Sequence, residues 1–353
     1  MSLARLLSLV VLAGCSEYDI RPGADTNGLG EEDDENGDTG VGISDELGGI
    51  TGRICSPSEN SWVVGADVWV ELENGDLVST TTDQDGYFTL TGIPIGDQTI
   101  HVQKGSFSTD FDVVVEPNQV TELAEEECLQ DEDVAIAVIS GDYDYIEGVL
   151  DNLGFEYTLY NSYDYDYNTY ESVVSTFLRD PQEMEQYDVI FFNCGMATDW
   201  EYYESEVANN LRDYVENGGS VYASDWAYWI TEASYPNMLD FYGSDSYDGE
   251  AQVGDAGTYD ATVLDADMVS TLGSNSAEIN YDLGVWIVPT GSGSGVPLIR
   301  GTVSANYGYD SINAVLAARQ YIGDGQMLYT SFHNEQQTTW HMDLLLEEII
   351  FSL

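Results

Sequence analysis

The chain has 353 residues, of which 65 are Asp or Glu and only 8 are Lys or Arg, giving a formal net charge of -57. A surface this negative repels nucleic acid and anionic headgroups, because binding phosphates needs Lys and Arg to displace counterions, so nucleic-acid function is excluded. The excess is spread along the whole chain, which fits solubility or adaptation to salt better than a dedicated site, with a surface that collects divalent cations as the third situation that suits it.

At the N-terminus, Met1-Ser2-Leu3-Ala4-Arg5 supplies one positive charge, Leu6 to Leu12 is apolar, and Ala13-Gly14 puts small residues before Cys15. These are the three parts of a secretory signal, and the apolar run is shorter than the roughly 20 residues that span a bilayer. Leu12-Ala13-Gly14-Cys15 resembles the lipobox of bacterial lipoproteins. The resemblance implies that residues 1–14 are removed and that Cys15 is diacylated, becomes the new N-terminus and usually receives a third chain. At about 0.8 kcal/mol per buried methylene, two or three acyl chains give a stable anchor. The expectation is an exported lipoprotein on a bilayer of the outer membrane, periplasm or cell surface, with the rest of the chain in an oxidising compartment. The alternative is an ordinary secreted protein in which Cys15 is incidental.

Residues 15–48 include Glu31, Glu32, Asp33, Asp34, Glu35, Asn36, Gly37 and Asp38, with scarcely any large apolar group. Such a segment cannot bury enough surface to offset its chain entropy and reads as a disordered, self-repelling tether. No cofactor is assigned from the sequence. Ca2+ is the one cation the Asp, Asn and Gly content suggests, without the regular alternation of an EF-hand loop.

Over residues 49–128 the pattern changes to short alternating runs between turn residues. Ile50 to Ile54, Ala66 to Leu72, Leu77 to Thr82, Tyr87 to Leu90, Gln98 to Val102 and Phe111 to Val115 read as the strands of a small all-β sandwich. Asp85-Gly86 supplies the positive φ of a tight hairpin, and Pro94 fixes φ before Gly96 reverses the chain. Asp83 and Asp85 either hold a cation or, the favoured reading, form a turn that bonds its own backbone. Cys55 and Cys128 bracket the segment and are the natural disulfide pair in an oxidising compartment, two free thiols being the alternative.

Thr82-Asp83-Gln84-Asp85-Gly86-Tyr87-Phe88, Gly92-Ile93-Pro94-Ile95-Gly96 and the positions Gly52 and Val64 to Val68 resemble the carboxypeptidase regulatory-like, prealbumin-like sandwich. That resemblance implies a spacer or adhesive module, and related sandwiches bind carbohydrate. Trp62, Trp69 and Tyr87 would then stack on a sugar, or else fill the core.

From residue 129 to 353 the period changes again. Val134 to Ile139 is a continuous apolar run, as in a strand buried on both faces of a parallel sheet. A helix Ile146 to Leu153 follows, stopped by Gly154, then strand Tyr157 to Tyr160, helix Tyr170 to Leu178, strand Asp188 to Asn193, helix Ser205 to Glu216 and strand Ser220 to Ala223. Alternating strands and helices predict a doubly wound α/β domain.

Tyr187 to Gly195, Leu211 to Val221 and Gly323 to Glu335 with its Phe332-His333-Asn334-Glu335 resemble, in this order, three local patterns of the class I glutamine amidotransferase-like, flavodoxin-like fold. That family also has noncatalytic members. The resemblance implies oxyanion glycines at Gly195, a nucleophile elbow near Ser224 and Asp225, and His333 with Glu335 as activating groups. The elbow reads Ala223-Ser224-Asp225-Trp226-Ala227, so the family's cysteine is missing and ordinary amide transfer is not expected. Cys194 at the oxyanion position is either a nucleophile candidate or a small buried apolar residue.

Asp142, Asp144, Asp225, His333 and Glu335 would converge at one sheet edge. Carboxylates suit calcium or magnesium and His with carboxylates suits zinc; hydroxyl-bearing ligands suit the same set. The candidate pocket is therefore Asp142, Cys194, Gly195, Ser224, Asp225, His333 and Glu335. Aromatic residues cluster at Tyr143 to Tyr145, Tyr157 to Tyr170 and Trp226 to Trp229, with Tyr163 to Tyr167 reading as a loop. Amphipathic rings beside Asp and Asn suit a polysaccharide or protein partner, or an ordinary surface short of Lys and Arg. The leading expectation is a noncatalytic lipoprotein in which a sandwich spacer presents a ligand-binding α/β domain. The rivals are a hydrolase or transferase using His333 with Ser224, Asp225 or Cys194, and a carbohydrate-binding protein acting through its sandwich.

Overall fold

Alternating buried and exposed positions mark the first strands of the computed structural model, which describes residues 47–124, 126–130, 134–166, 171–195, 205–243, 251–334 and 338–353. Cys15, residues 15–46 of the expected tether and Glu335 lie outside these residues, while the last two tether positions, Leu47 and Gly48, already belong to the first strand. Strands β1 (Leu47–Cys55), β2 (Asp67–Glu71), β3 (Leu77–Thr81), β4 (Tyr87–Pro94), β5 (Gly96–Lys104) and β6 (Phe107–Val115) are followed by the short β7 (Val120–Glu122) and β8 (Glu127–Cys128). They form two four-stranded sheets, β4-β1-β7 with β8 also paired to β1, and β3-β2-β5-β6. Ile50, Ile54, Val68, Val70, Phe88, Leu90, Ile100 and Val102 fill the space between them. Cys55 and Cys128 are partners in register across β1 and β8 and form a disulfide, with Cα atoms 4.3 Å apart.

The second part contains β9 (Ile136–Ile139), α1 (Ile146–Leu153), β10 (Thr158–Tyr160), β11 (Tyr165–Asp166), β12 (Glu171–Ser172), α2 (Val173–Arg179), α3 (Pro181–Met184), β13 (Val189–Phe192), α4 (Ser205–Glu216), β14 (Ser220–Ser224) and α5 (Tyr228–Ser234). It continues through β15 (Leu239–Phe241), β16 (Gly257–Val263), α6 (Ala266–Leu272), β17 (Ser276–Tyr281), β18 (Pro289–Ser292), β19 (Val296–Ala305), β20 (Asp310–Ile322), β21 (Gly325–Thr330) and α7 (Trp340–Phe351). The stretch read as a loop at Tyr163 to Tyr167 includes the two-residue β11, paired antiparallel with β12.

Nine strands make one sheet in the order β10-β9-β13-β14-β21-β20-β19-β16-β17. The first five run parallel, and in chain order they read second, first, third, fourth, fifth, the flavodoxin-like arrangement. The remaining four continue the sheet as antiparallel neighbours. Alternate residues of each parallel strand serve opposite cores. Ile136, Val138, Val189 and Phe191 pack with α1 and α7, whereas Ala137, Ile139, Ile190 and Phe192 pack with α2 and α4. Coverage on both faces is why these strands are continuously apolar. The fold is thus a β-sandwich followed by a doubly wound α/β sheet.

The sandwich shares an apolar core with the α/β part. Phe107 of β6 stacks on Phe155 with ring centroids 4.3 Å apart, and Phe351 of α7 meets both edge-on. Lys104, the chain's only lysine, reaches from β5 to Glu348 of α7 at 2.6 Å, with both side chains buried. Beside it Gly105 has φ +57°, and a Cβ there would lie 2.3 Å from the Phe351 carbonyl oxygen. Only glycine accepts both that backbone and that approach.

Candidate ligand pocket at the carboxyl ends of the parallel strands

In an open α/β sheet the loops beyond the carboxyl ends of the strands form the crevice where ligands bind. Here the segments following β9, β13, β14 and β21 meet the loop after β17 around a cavity of about 480 Å3. Asp142 and Tyr143 come from the first segment, Cys194 and Gly195 from the second, Asp225, Trp226 and Trp229 from the third, and Phe332 and His333 from the fourth. Tyr281 to Trp286 form the opposite wall, where the Tyr281 and Trp286 rings stack with centroids 3.8 Å apart. Among the described residues, no lysine or arginine lines the cavity.

Asp225 stands at the turn from β14 into a short 3-10 segment and has φ +43°. A non-glycine residue in that region costs about 1 kcal/mol or more, and such strain concentrates at functional sites. Three bonds over-determine it. Its Oδ1 accepts from the Ile287 backbone N–H at 2.7 Å, its carbonyl oxygen accepts from the Tyr329 hydroxyl at 2.9 Å, and its Oδ2 accepts from the Cys194 thiol at 3.4 Å. The same Oδ2 lies 3.5 Å from Nε2 of His333. Cys194 and Asp225 are buried, while His333 keeps 12% of its side chain accessible.

Behind this group lies a second polar layer. The Ser224 hydroxyl donates to Asp144 Oδ2 at 2.5 Å and accepts from the Cys194 backbone N–H at 3.0 Å. Asp144 Oδ1 accepts from the Asn334 backbone N–H at 3.1 Å, and Asn193 donates to Glu147 Oε2 at 2.8 Å. Burial pushes the Asp144 carboxyl above its ordinary range, against the opposing influence of His333 and the Ser224 bond. Burial raises Glu147 as well. The Cys194 thiol is pushed well up, first by burial and then by the Asp225 charge, which holds it in the protonated form.

Of the residues singled out in the sequence, Asp142, Cys194, Gly195, Asp225 and His333 meet around the cavity. Ser224 is fully buried, with its hydroxyl turned to Asp144 and away from the lining. Asp142 is at the exposed mouth, where its Oδ2 accepts from the Tyr163 hydroxyl. Gly195 holds φ +82°, and a Cβ there would strike the Tyr143 ring. Trp226, Trp229, Tyr281 and Trp286 were not singled out for this pocket. The cluster of Trp226 with Trp229 signalled an aromatic surface, but nothing local ties Trp286 to it.

Arg53 lies 3.2 Å over the Trp62 ring and 4.6 Å over Tyr87, and Trp69 stacks on His101 at 5.4 Å. Asp83 Oδ1 accepts from the backbone N–H groups of Asp85 and Tyr87, each at 2.9 Å, so this turn bonds its own backbone.

Residues 49–125 match the carboxypeptidase regulatory-like domain family, and the chain carries such a domain. A comparison with curated proteins gives no match. Among solved structures, the chain is similar to a protein from Bacteroides uniformis described as ThuA-like, at 11% identity and a TM-score of 0.40, over 61% of this chain and 89% of that one. It is similar to a second protein described as ThuA-like, from Parabacteroides merdae, at 15% identity and a TM-score of 0.40, over 61% and 88%. A β-galactosidase from Rahnella sp. R3 is similar at 12% identity and a TM-score of 0.37, over 61% of this chain and 31% of that one.

Proposed function

We propose that this protein is an exported lipoprotein, anchored to a bilayer through acylated Cys15, whose amidotransferase-like α/β part binds a small hydroxylated, ring-bearing ligand and performs no amide transfer. The observation that carries the reading is the cavity itself. The partly exposed Trp226 ring and the carboxylates of Asp142 and Asp282 offer a stacking surface and hydroxyl acceptors together, on a wall backed by the buried rings of Trp229 and Trp286. At the elbow a carboxylate stands where the resembled amidotransferases need a thiolate.

Retention of the purified chain on a panel of mono- and oligosaccharides tests this. Binding should appear and weaken at least about tenfold in Trp226→Ala and in Asp142→Asn, the cost expected when a central contact is removed from a pocket. A panel without binding, or binding indifferent to both substitutions, rejects the ligand class. The anchor is tested separately by labelled palmitate, whose incorporation Cys15→Ser should abolish.

One observation favours a hydrolase in the same pocket. Asp225 combines a strained elbow backbone with His333 at 3.5 Å, the disposition of a carboxylate nucleophile beside a base. Turnover lost in His333→Ala with sugar binding retained would select it.

A further inference from the structure

Beyond the pocket's ligand class, and independent of it, we infer that Cys194, Asp225 and His333 form a three-ligand site for a transition-metal ion of the zinc type, with its fourth position open to the cavity. Among the described residues, the ligand atoms of these three side chains all lie within 4.8 Å of one another. Zn2+ holds sulfur at about 2.3 Å and nitrogen or oxygen at about 2.0 Å, so the edges of its tetrahedron measure roughly 3.3 to 3.5 Å. Asp225 Oδ2 lies 3.4 Å from the Cys194 sulfur and 3.5 Å from His333 Nε2. Two of the three edges therefore already have tetrahedral length.

The ligands sit on rigid supports. Each follows a different parallel strand, β13, β14 or β21, at the same edge of the sheet. The Ile287 amide fixes Asp225 Oδ1 and leaves Oδ2 facing the sulfur and the imidazole. The Ser224 hydroxyl, itself tied to Asp144, holds the Cys194 backbone. Such outer contacts orient metal ligands.

Charge supports the same reading. Asp225 and Asp144 are both buried here, and the cavity's described lining offers no lysine or arginine. When a divalent ion binds, the Cys194 thiol releases its proton to solvent in the cavity. Thiolate and carboxylate then balance the ion's two positive charges, with neutral His333 completing the set. Sulfur and imidazole select zinc-like ions over calcium and magnesium, which take hard oxygen ligands. Three protein ligands leave the fourth position to water or to a bound ligand.

The test uses the full chain, stripped with chelator and titrated with Zn2+ and Co2+ in the presence of excess Ca2+. One Zn2+ should bind per chain against the calcium. The Co2+ form should show the tetrahedral visible bands and the near-ultraviolet thiolate-to-cobalt charge-transfer band. Cys194→Ser should remove the charge-transfer band and weaken Zn2+ at least about 100-fold, more than loss of an outer contact costs. His333→Gln should weaken Zn2+ comparably, while Asp83→Asn in the distant turn should change nothing. Weak binding of several ions that calcium displaces, or a wild-type Co2+ spectrum without the thiolate band, overturns the site even where a variant fails to fold. Because these titrations contain no sugar, their outcome is separate from that of the saccharide panel.

Discussion

Asp144 shows how one buried carboxyl couples the pocket to pH. It is held above its ordinary pKa of 3.8 chiefly by burial, so the folded chain takes up this proton more readily than the unfolded chain. The sign follows from linkage. Its contribution to stability is complete below pH 3.8 and is lost as pH rises through the higher folded-state value. Asp144→Asn removes that dependence while preserving shape, so the variant should gain stability relative to wild type as pH rises from about 4 to 8. Thermal unfolding of both proteins across that range, at fixed ionic strength, checks it; parallel curves would refute it. Sequence spacing placed Asp142 and Asp144 together at the end of a strand but could not separate their duties. What separates them is the close approach at Gly141, where a Cβ would lie 2.0 Å from the Cys194 carbonyl oxygen. That approach brings the loop against β13, with Asp142 exposed and Asp144 beneath Ser224. Asp225 and His333 were legible because the elbow and the closing strand carry local patterns. The wall at Trp286 was not, because its contact with Tyr281 joins the end of β17 to a loop without a motif.

At the scale of elements, a buried ion pair set in an apolar layer helps join sandwich and sheet. Glu348 is raised by burial and drawn down again by Lys104, and its Oε2 accepts from Thr271 at 2.7 Å. Replacing Lys104 by Met leaves a buried carboxylate without its cation, which should cost about 3–5 kcal/mol. The double variant Lys104→Met with Glu348→Leu should recover most of that loss, because an apolar pair of similar volume avoids both desolvation costs. Urea unfolding of the two variants distinguishes a compensated charge from a packing requirement. A double variant as unstable as the single one would show that packing governs. The disulfide belongs to this scale too: it closes a loop of 73 residues, and Cys55→Ser with Cys128→Ser should lose about 4 kcal/mol in the same measurement. The strands β9, β13 and β14 were readable because both of their faces are buried, and the sandwich strands because only one is. The three-residue β7 and two-residue β8 are too short for any period to register. Nor does any local pattern announce the meeting of Phe107, Phe155 and Phe351, which depends on packing between segments far apart in the chain.

For the whole molecule, the governing quantity is the formal net charge of -57 on 353 residues. Like charges crowded onto a compact surface repel one another and favour the expanded chain. Mobile ions weaken that repulsion over a screening length that falls from about 30 Å at 0.01 M to about 10 Å at 0.1 M and about 3 Å at 1 M. The buried Lys104–Glu348 pair is shielded from those ions and should lose little as salt is added. Stability should therefore rise steeply between 0.01 and 0.1 M NaCl and keep rising more gently toward 1 M. Thermal unfolding of the full chain along that series measures it, and a flat or falling midpoint would rule out salt adaptation as the reason for the acidity. Repeating the series with MgCl2 at matched ionic strength separates diffuse screening from divalent binding. Equal midpoints mean diffuse screening, whereas a higher midpoint in MgCl2 means that the acidic surface gathers divalent ions as bound partners.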